Sequence, residues 1–138
     1  MSVWGSKRHT DTSFLTISPA QPAARQHDWT ITKTLVTHAS ATSTAFKEQI
    51  HQQLHDVGVL PAGGVSLEIG FLVGSNRYWP NLWKPTIDAL DPILGQTRPD
   101  RPWHPRDGRI VTLGLHCAID PTQTNTVRMT IRAGPSRQ

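Results

Sequence analysis

Residues 65–73, VSLEIGFLV, decide the fold. Val65, Leu67, Ile69, Phe71 and Val73 alternate without a break, and Ser66, Glu68, Gly70 and Leu72 lie between them. Successive side chains of a strand point to opposite faces, so this is a strand with one apolar face and one mostly small or polar face. Such a strand needs a covering layer on its apolar face only.

Residues 61–64 ahead of it read as a loop. Before that loop, Phe46, Ile50, Leu54 and Val57 recur at helical spacing and form one stripe. Lys47, Glu48, Gln52 and Gln53 fall mostly on the other side. Thr42 and Ser43 are candidate N-caps, and Gly58 is a candidate stop. Residues 29–38, rich in Thr, Val and Ile, read as a strand. Residues 12–18 read as another, with Phe14 and Ile17 as its apolar positions. Residues 19–28 between them hold Pro19 and Pro22 and no apolar period, which makes them loop. Residues 1–11 are expected to be a flexible arm.

Downstream, residues 74–80 form a turn and a helix is expected over residues 81–90. Leu82, Thr86, Ile87 and Leu90 are its buried side. Pro85 must sit near the first turn, and Pro92 should end or kink the helix. Residues 95–107 contain Pro99, Pro102 and Pro105 and read as a long loop. Alternation returns through Val111, Leu113, Leu115, Cys117 and Ile119, and again through Val127, Met129 and Ile131. With a turn over residues 120–125 these look like an antiparallel hairpin. Arg128 and Arg132 on the last strand either blunt a sheet edge or face phosphate. The element order implies an α+β fold: a two-layer sandwich, a mixed β-sheet with two main helices on one face. One domain is expected over residues 12–133, with a tail over 134–138.

Hydrophobic residues make up 36% of the 138 and charged residues 17%, both low, and eleven prolines take up part of the difference. That composition fits irregular segments around one core better than a bundle or coiled coil. No apolar run reaches the length of a membrane span, and the first ten residues lack a signal-peptide core. A cytoplasmic protein with no membrane partner is expected. A single cysteine, Cys117, excludes an internal disulfide framework and a multi-cysteine zinc site, and its alternation with core positions reads as a small buried residue. The net charge of +4 lies wholly beyond residue 76, where nine Lys/Arg face five acids; eight of the nine are arginine. Arginine suits phosphate, so nucleic acid is a candidate partner, although a basic excess also serves solubility.

Two pieces, NLWKPTIDAL (residues 81–90) and RDGRIV (residues 106–111), followed by a terminal hairpin, resemble the RusA-type Holliday junction resolvase family. The family pattern runs D-x-D-N-L-x-K into a helix with D-A-L, then an acidic pair before the last strands. Asn81, Leu82, Lys84, Asp88, Ala89 and Leu90 match it, and the resemblance extends over residues 29–133. It implies a RusA-like sandwich, a homodimer suited to a four-way junction, and magnesium-dependent cleavage of branched DNA. It also implies that Lys84 stabilises charge on phosphate beside the metal. The departures fall on the acids. Tyr78 and Pro80 stand where D-x-D would be, and Arg106 takes one place of the later pair, leaving Asp107. Magnesium is held by carboxylates, and one carboxylate is a poor site. Lys84, Arg106 and Arg109 make the spot more cationic than the family pattern, which favours direct phosphate contact.

Other residues admit two readings each. Asp88 follows Lys84 by four, the spacing of a helical ion pair, and is alternatively a metal ligand. Glu68 is either a solvated strand carboxylate or a reach-in ligand for the same site. His51 and His55 share a helix face that reads as solvated, without a third ligand for a metal. His104 and His116 flank Asp107 in sequence and either pack or support acid–base chemistry. Trp79, Trp83 and Trp103, beside Tyr78, either pack the long loop or stack on bases or a partner. The leading expectation is DNA binding, branched or structured, through Arg77, Lys84, Arg106, Arg109, Trp83 and Trp103, with cleavage weak or absent. One alternative is an active magnesium-dependent endonuclease using Lys84, with Asp107 and Asp88 as metal ligands, helped by Glu68 or His104. Another is a non-enzymatic module that docks a protein through the Trp/Pro-rich loop 95–105.

Overall fold

A computed structural model of the chain describes residues 2–7, 13–18, 29–98 and 100–136. The elements are β1 (Ser2–Lys7), β2 (Ser13–Ser18), β3 (Ile31–Thr37), α1 (Thr44–Gln53), β4 (Val65–Val73), α2 (Trp83–Asp88), α3 (Asp91–Leu94), β5 (Ile110–Ile119) and β6 (Val127–Pro135). Six strands make one mixed sheet in the order β2-β1-β5-β4-β6-β3. The chain is α+β, with the helices packed on one face of that sheet.

The alternating strand of residues 65–73, β4, lies near the middle of this sheet. Val65, Leu67, Ile69, Phe71 and Val73 are all buried, with Leu115 of β5 and Val127, Met129, Ile131 and Ala133 of β6 beside them. Phe46, Ile50 and Leu54 from the first helical region, and Leu82, Ile87, Leu90, Ile93 and Leu94 from the second, close the same core. Each such side chain contributes roughly 1.5–3 kcal/mol when fully buried, so this layer contact dominates the stability.

The expected terminal hairpin is absent. β4 lies between β5 and β6, parallel to the first and antiparallel to the second. Residues 120–126 therefore cross the end of β4 instead of joining adjacent strands. Asp120 N donates to Val73 O at 2.8 Å as the connection passes over. Gly74 is what lets it pass: a Cβ there would run into the Gln123 carbonyl oxygen and lie 2.8 Å from that of Thr124. β6 also has a neighbour on its other side, β3, so Arg128 and Arg132 do not blunt an edge. The edge on that side is β3. Its Val36 backbone is answered by Gln53 of α1, whose Oε1 accepts from Val36 N at 3.0 Å and whose Nε2 donates to Val36 O at 2.7 Å.

Further differences follow from local chemistry. The stretch expected as an arm contains β1, which pairs antiparallel with both β2 and β5. The stretch expected as a tail extends β6 to Pro135, opposite Val65. The expected loop 19–28 lies outside the described residues. In place of one helix over 81–90 the chain forms a 3-10 turn (Trp79–Asn81) and the shorter α2, with α3 following beyond residue 90. Pro85 sits in the first turn of α2, as expected, whereas Pro92 sits in the first turn of α3 and so opens a helix where it was expected to close one. The buried side is as read: Leu82, Thr86, Ile87 and Leu90 are 3% exposed or less.

Candidate functional site

The long loop after α3 is folded back on itself. Thr97 N donates to His104 O and Arg106 N to Gly95 O, both at 2.9 Å, and Gln96 and Pro105 form an isolated antiparallel bridge. The resulting hairpin arm stands over α2. Trp103 near its tip has φ 67°, a conformation that bulky side chains rarely adopt. It is held there by packing. Its ring meets His51 of α1 edge-on at 5.7 Å between centroids, and Lys47 Nζ lies 6.0 Å from its centroid. Trp103 thus follows the packing reading, half-buried against the core.

Under this arm the structure brings together three of the residues singled out from sequence. Lys84 Nζ donates to Asp88 Oδ1 at 2.8 Å, one helical turn along α2, and lies 3.6 Å from Asp107 Oδ2 in the 3-10 turn Asp107–Arg109 that leads into β5. The hydrogen bond from Lys84 to Asp88, then the charges of Asp88 and Asp107, push the Lys84 pKa above its ordinary value. Lys47 Nζ, on α1, lies 3.8 Å from the other oxygen of Asp88. The four groups form an alternating chain, Lys47–Asp88–Lys84–Asp107. Together with Arg98, Arg101, Trp103 and His104, the last three of these line a cleft of about 320 Å³. That is the size of a small ligand site.

The expected arginines do not all belong to it. Arg109 is consumed by the backbone: Nε donates to Gly63 O at 3.0 Å, Nη1 to Leu94 O at 2.9 Å, and Nη2 to Leu60 O at 3.1 Å and to Pro61 O. It staples the loop before β4 to the end of α3. Arg77 does the same elsewhere, with Nη2 donating to Ala39 O at 2.9 Å and Asn125 O at 2.5 Å. Arg106 donates from Nε to Gln96 O at 3.1 Å and, with Arg109, borders a second, larger cleft of about 640 Å³ beside Val59, Leu60 and Val111. Trp83 is exposed at the start of α2 but does not line the first cleft.

Arg98 and Arg101 were not singled out from the sequence. Both are exposed, and among the described residues neither guanidinium has a carboxylate within ion-pair distance. The signal was two arginines in a proline-rich stretch, which carries no position until the loop is seen to fold over α2.

Glu68 does not reach this cleft. It is buried on the opposite face of the sheet, with Oε1 3.2 Å from Arg132 Nη1 and Oε2 3.7 Å from His116 Nε2. Its place in the ladder, opposite Arg132 on β6, makes that partner, and the same geometry takes His116 away from Asp107. His51 is not solvated alone. Its Nε2 lies 3.1 Å from Oδ1 of the buried Asp91, an ion-pair distance without hydrogen-bond alignment, and Gln96 Nε2 donates to Asp91 Oδ2 at 2.7 Å. Asp91 thereby ties the base of the arm to α1.

The residues present do not fit a magnesium ion. Among the described residues no three His, Cys, Asp or Glu side chains come together as ligands, and an ammonium already sits against both carboxylates of the cleft. Magnesium demands near-octahedral oxygen ligation, and a cation beside its ligands repels it. Comparison with known protein families, with curated proteins and with solved structures finds no match for this chain.

Proposed function

We propose that the chain binds nucleic acid, branched or structured DNA in the first place, across the cleft between α2 and the hairpin arm, with cleavage weak or absent. The observation that carries this reading is the pair Arg98 and Arg101 at the rim of the cleft, exposed and without carboxylate partners among the described residues. Guanidinium groups left open to solvent beside one another are suited to phosphate, which they grip bidentately. Lys84 adds a third cation to the lining, and His104 adds a polar side chain.

The RusA-type resemblance supports the class of ligand, since it rests on Asn81, Leu82, Lys84, Asp88, Ala89 and Leu90, and Lys84, Asp88 and Asp107 converge. It also supports a homodimer, since a four-way junction presents two equivalent arms to two copies. The weak-cleavage part follows from the carboxylates, which are engaged with lysine instead of being open to a metal.

The test is fluorescence anisotropy with junction, duplex and single-stranded DNA over a salt series. Binding that weakens linearly in the logarithm of salt is expected, tightest for the junction. Absence of salt-dependent binding to all three overturns the reading. Rapid junction cleavage in magnesium overturns its second half.

A further inference from the structure

Asp88 and Asp107 are the two carboxylates of the cleft, and each is matched by an ammonium group. Lys84 Nζ lies 2.8 Å from Asp88 Oδ1 and 3.6 Å from Asp107 Oδ2. Lys47 Nζ lies 3.8 Å from Asp88 Oδ2. Two ammonium groups carry the same charge as one divalent ion. They come from two different helices, α1 and α2, and the carboxylates come from α2 and from the turn before β5, so only the folded chain assembles them.

We infer that Lys47 and Lys84 take the place of a divalent cation at the Asp88 and Asp107 carboxylates, so that these two carboxylates are charge-balanced without metal and Lys84 is the group that keeps metal out. The geometry gives Lys84 that role over Lys47. Lys84 touches both carboxylates, whereas Lys47 touches one and also faces the Trp103 ring at 6.0 Å. A divalent ion shared by the two carboxylates would have to occupy the space of the Lys84 ammonium. Removal of that ammonium leaves two carboxylates without their shared cation and one lysine beside Asp88, which is a hard-oxygen site short of ligands but open to water. Such a site favours a labile hydrated ion of the manganese or magnesium type, which keeps most of its waters.

The inference concerns the cations of the cleft and stands apart from the ligand proposed for it, so its test contains no nucleic acid. Mn2+ binding is measured by the loss of the free-ion electron paramagnetic resonance signal, on wild type, Lys84→Ala and Lys84→Ala/Asp107→Asn. Lys84→Ala is expected to bind Mn2+ at least about tenfold more tightly than wild type. The double variant is expected to fall back to the wild-type level. Thermal melts of the same three proteins in chelator and in Mn2+ give a second readout: wild type is expected to be indifferent to the ion, and Lys84→Ala to rise with it. Two results overturn the inference. One is wild type binding Mn2+ as tightly as Lys84→Ala. The other is a cooperatively melting Lys84→Ala that neither binds the ion nor responds to it.

Discussion

The segment from residue 95 to residue 109 carries arginines at its foot and at its tip, and the two use them in opposite ways. At its foot, Arg109 donates to the carbonyls of Gly63, Leu94, Leu60 and Pro61. At its tip, Arg98 and Arg101 face solvent at the rim of a cleft. The difference lies in the backbone around them. Carbonyls at a helix end and in an irregular loop lack intrahelical or ladder donors, and a fork of N–H groups answers several of them at once. Toward the tip the hairpin contacts pair Thr97 N with His104 O and Arg101 N with Arg98 O, and among the described residues neither guanidinium donates to a carbonyl. A basic residue thus becomes structural where several carbonyls lie within its reach and becomes a candidate for binding where none does.

Breaking the foot should show in stability. Arg109→Ala removes the donor from four carbonyls, of which those of Leu94 and Leu60 are part-buried, and is expected to cost roughly 3 kcal/mol, read as a lower midpoint in urea at unchanged slope. Arg109→Lys should recover little of it, since one ammonium cannot fork across four oxygens. Full stability in Arg109→Ala would erase the distinction between foot and tip.

Breaking the tip should leave stability alone and show in binding. The pair Arg98→Ala and Arg101→Ala is expected to lower DNA affinity by roughly tenfold and the salt slope by about two, with the melting temperature unchanged. An unaltered slope would remove these two residues from the interface.

Trp103, near the tip, seats the arm against His51 and Lys47 of α1. Its positive φ costs a bulky residue energy that glycine does not pay. Trp103→Ala and Trp103→Gly both lose the contacts with His51 and Lys47, yet the glycine variant is expected to be the more stable by about 1 kcal/mol. Equal stability would mean that the arm relaxes once the ring is gone.

The smallest effect separates the cleft from both arginine ends by pH. Lys84 has its pKa raised above 10.5 by Asp88 first and Asp107 second. For a group raised on folding, the stabilisation is fully present below 10.5 and is lost as pH rises through the folded value. The difference in midpoint between wild type and Lys84→Met should therefore be constant at neutral pH and fade in strongly alkaline solution. It should be small throughout, because Lys84 is more than half exposed and solvent screens the pair.

Much of the fold is legible in the sequence because alternation and helical spacing are local. The strand at residues 65–73, the stripe Phe46, Ile50 and Leu54, and the buried side of the second helical region need only the intrinsic periods of strand and helix. The Lys84–Asp88 pair is legible for the same reason, four residues apart on one helix. The insertion of β4 between β5 and β6 is not, because alternation says which face a residue takes and not which strand lies beside it. The approach of Asp107 to Lys84 needs the arm closed, and that closure depends on Arg109, Asp91 and Trp103 contacts made across the chain.

By itself the sequence determined the α+β class, the apolar face of the central strand, the absence of a cysteine framework and the concentration of positive charge beyond residue 76. Those follow from composition and from periods that each segment carries alone. Only the tertiary structure decided which arginines are spent on carbonyls and which remain at the cleft, and that two lysines stand at its carboxylates. The reason is that a charged side chain takes its role from the partners within a few ångströms of it, and those partners come from residues far away along the chain.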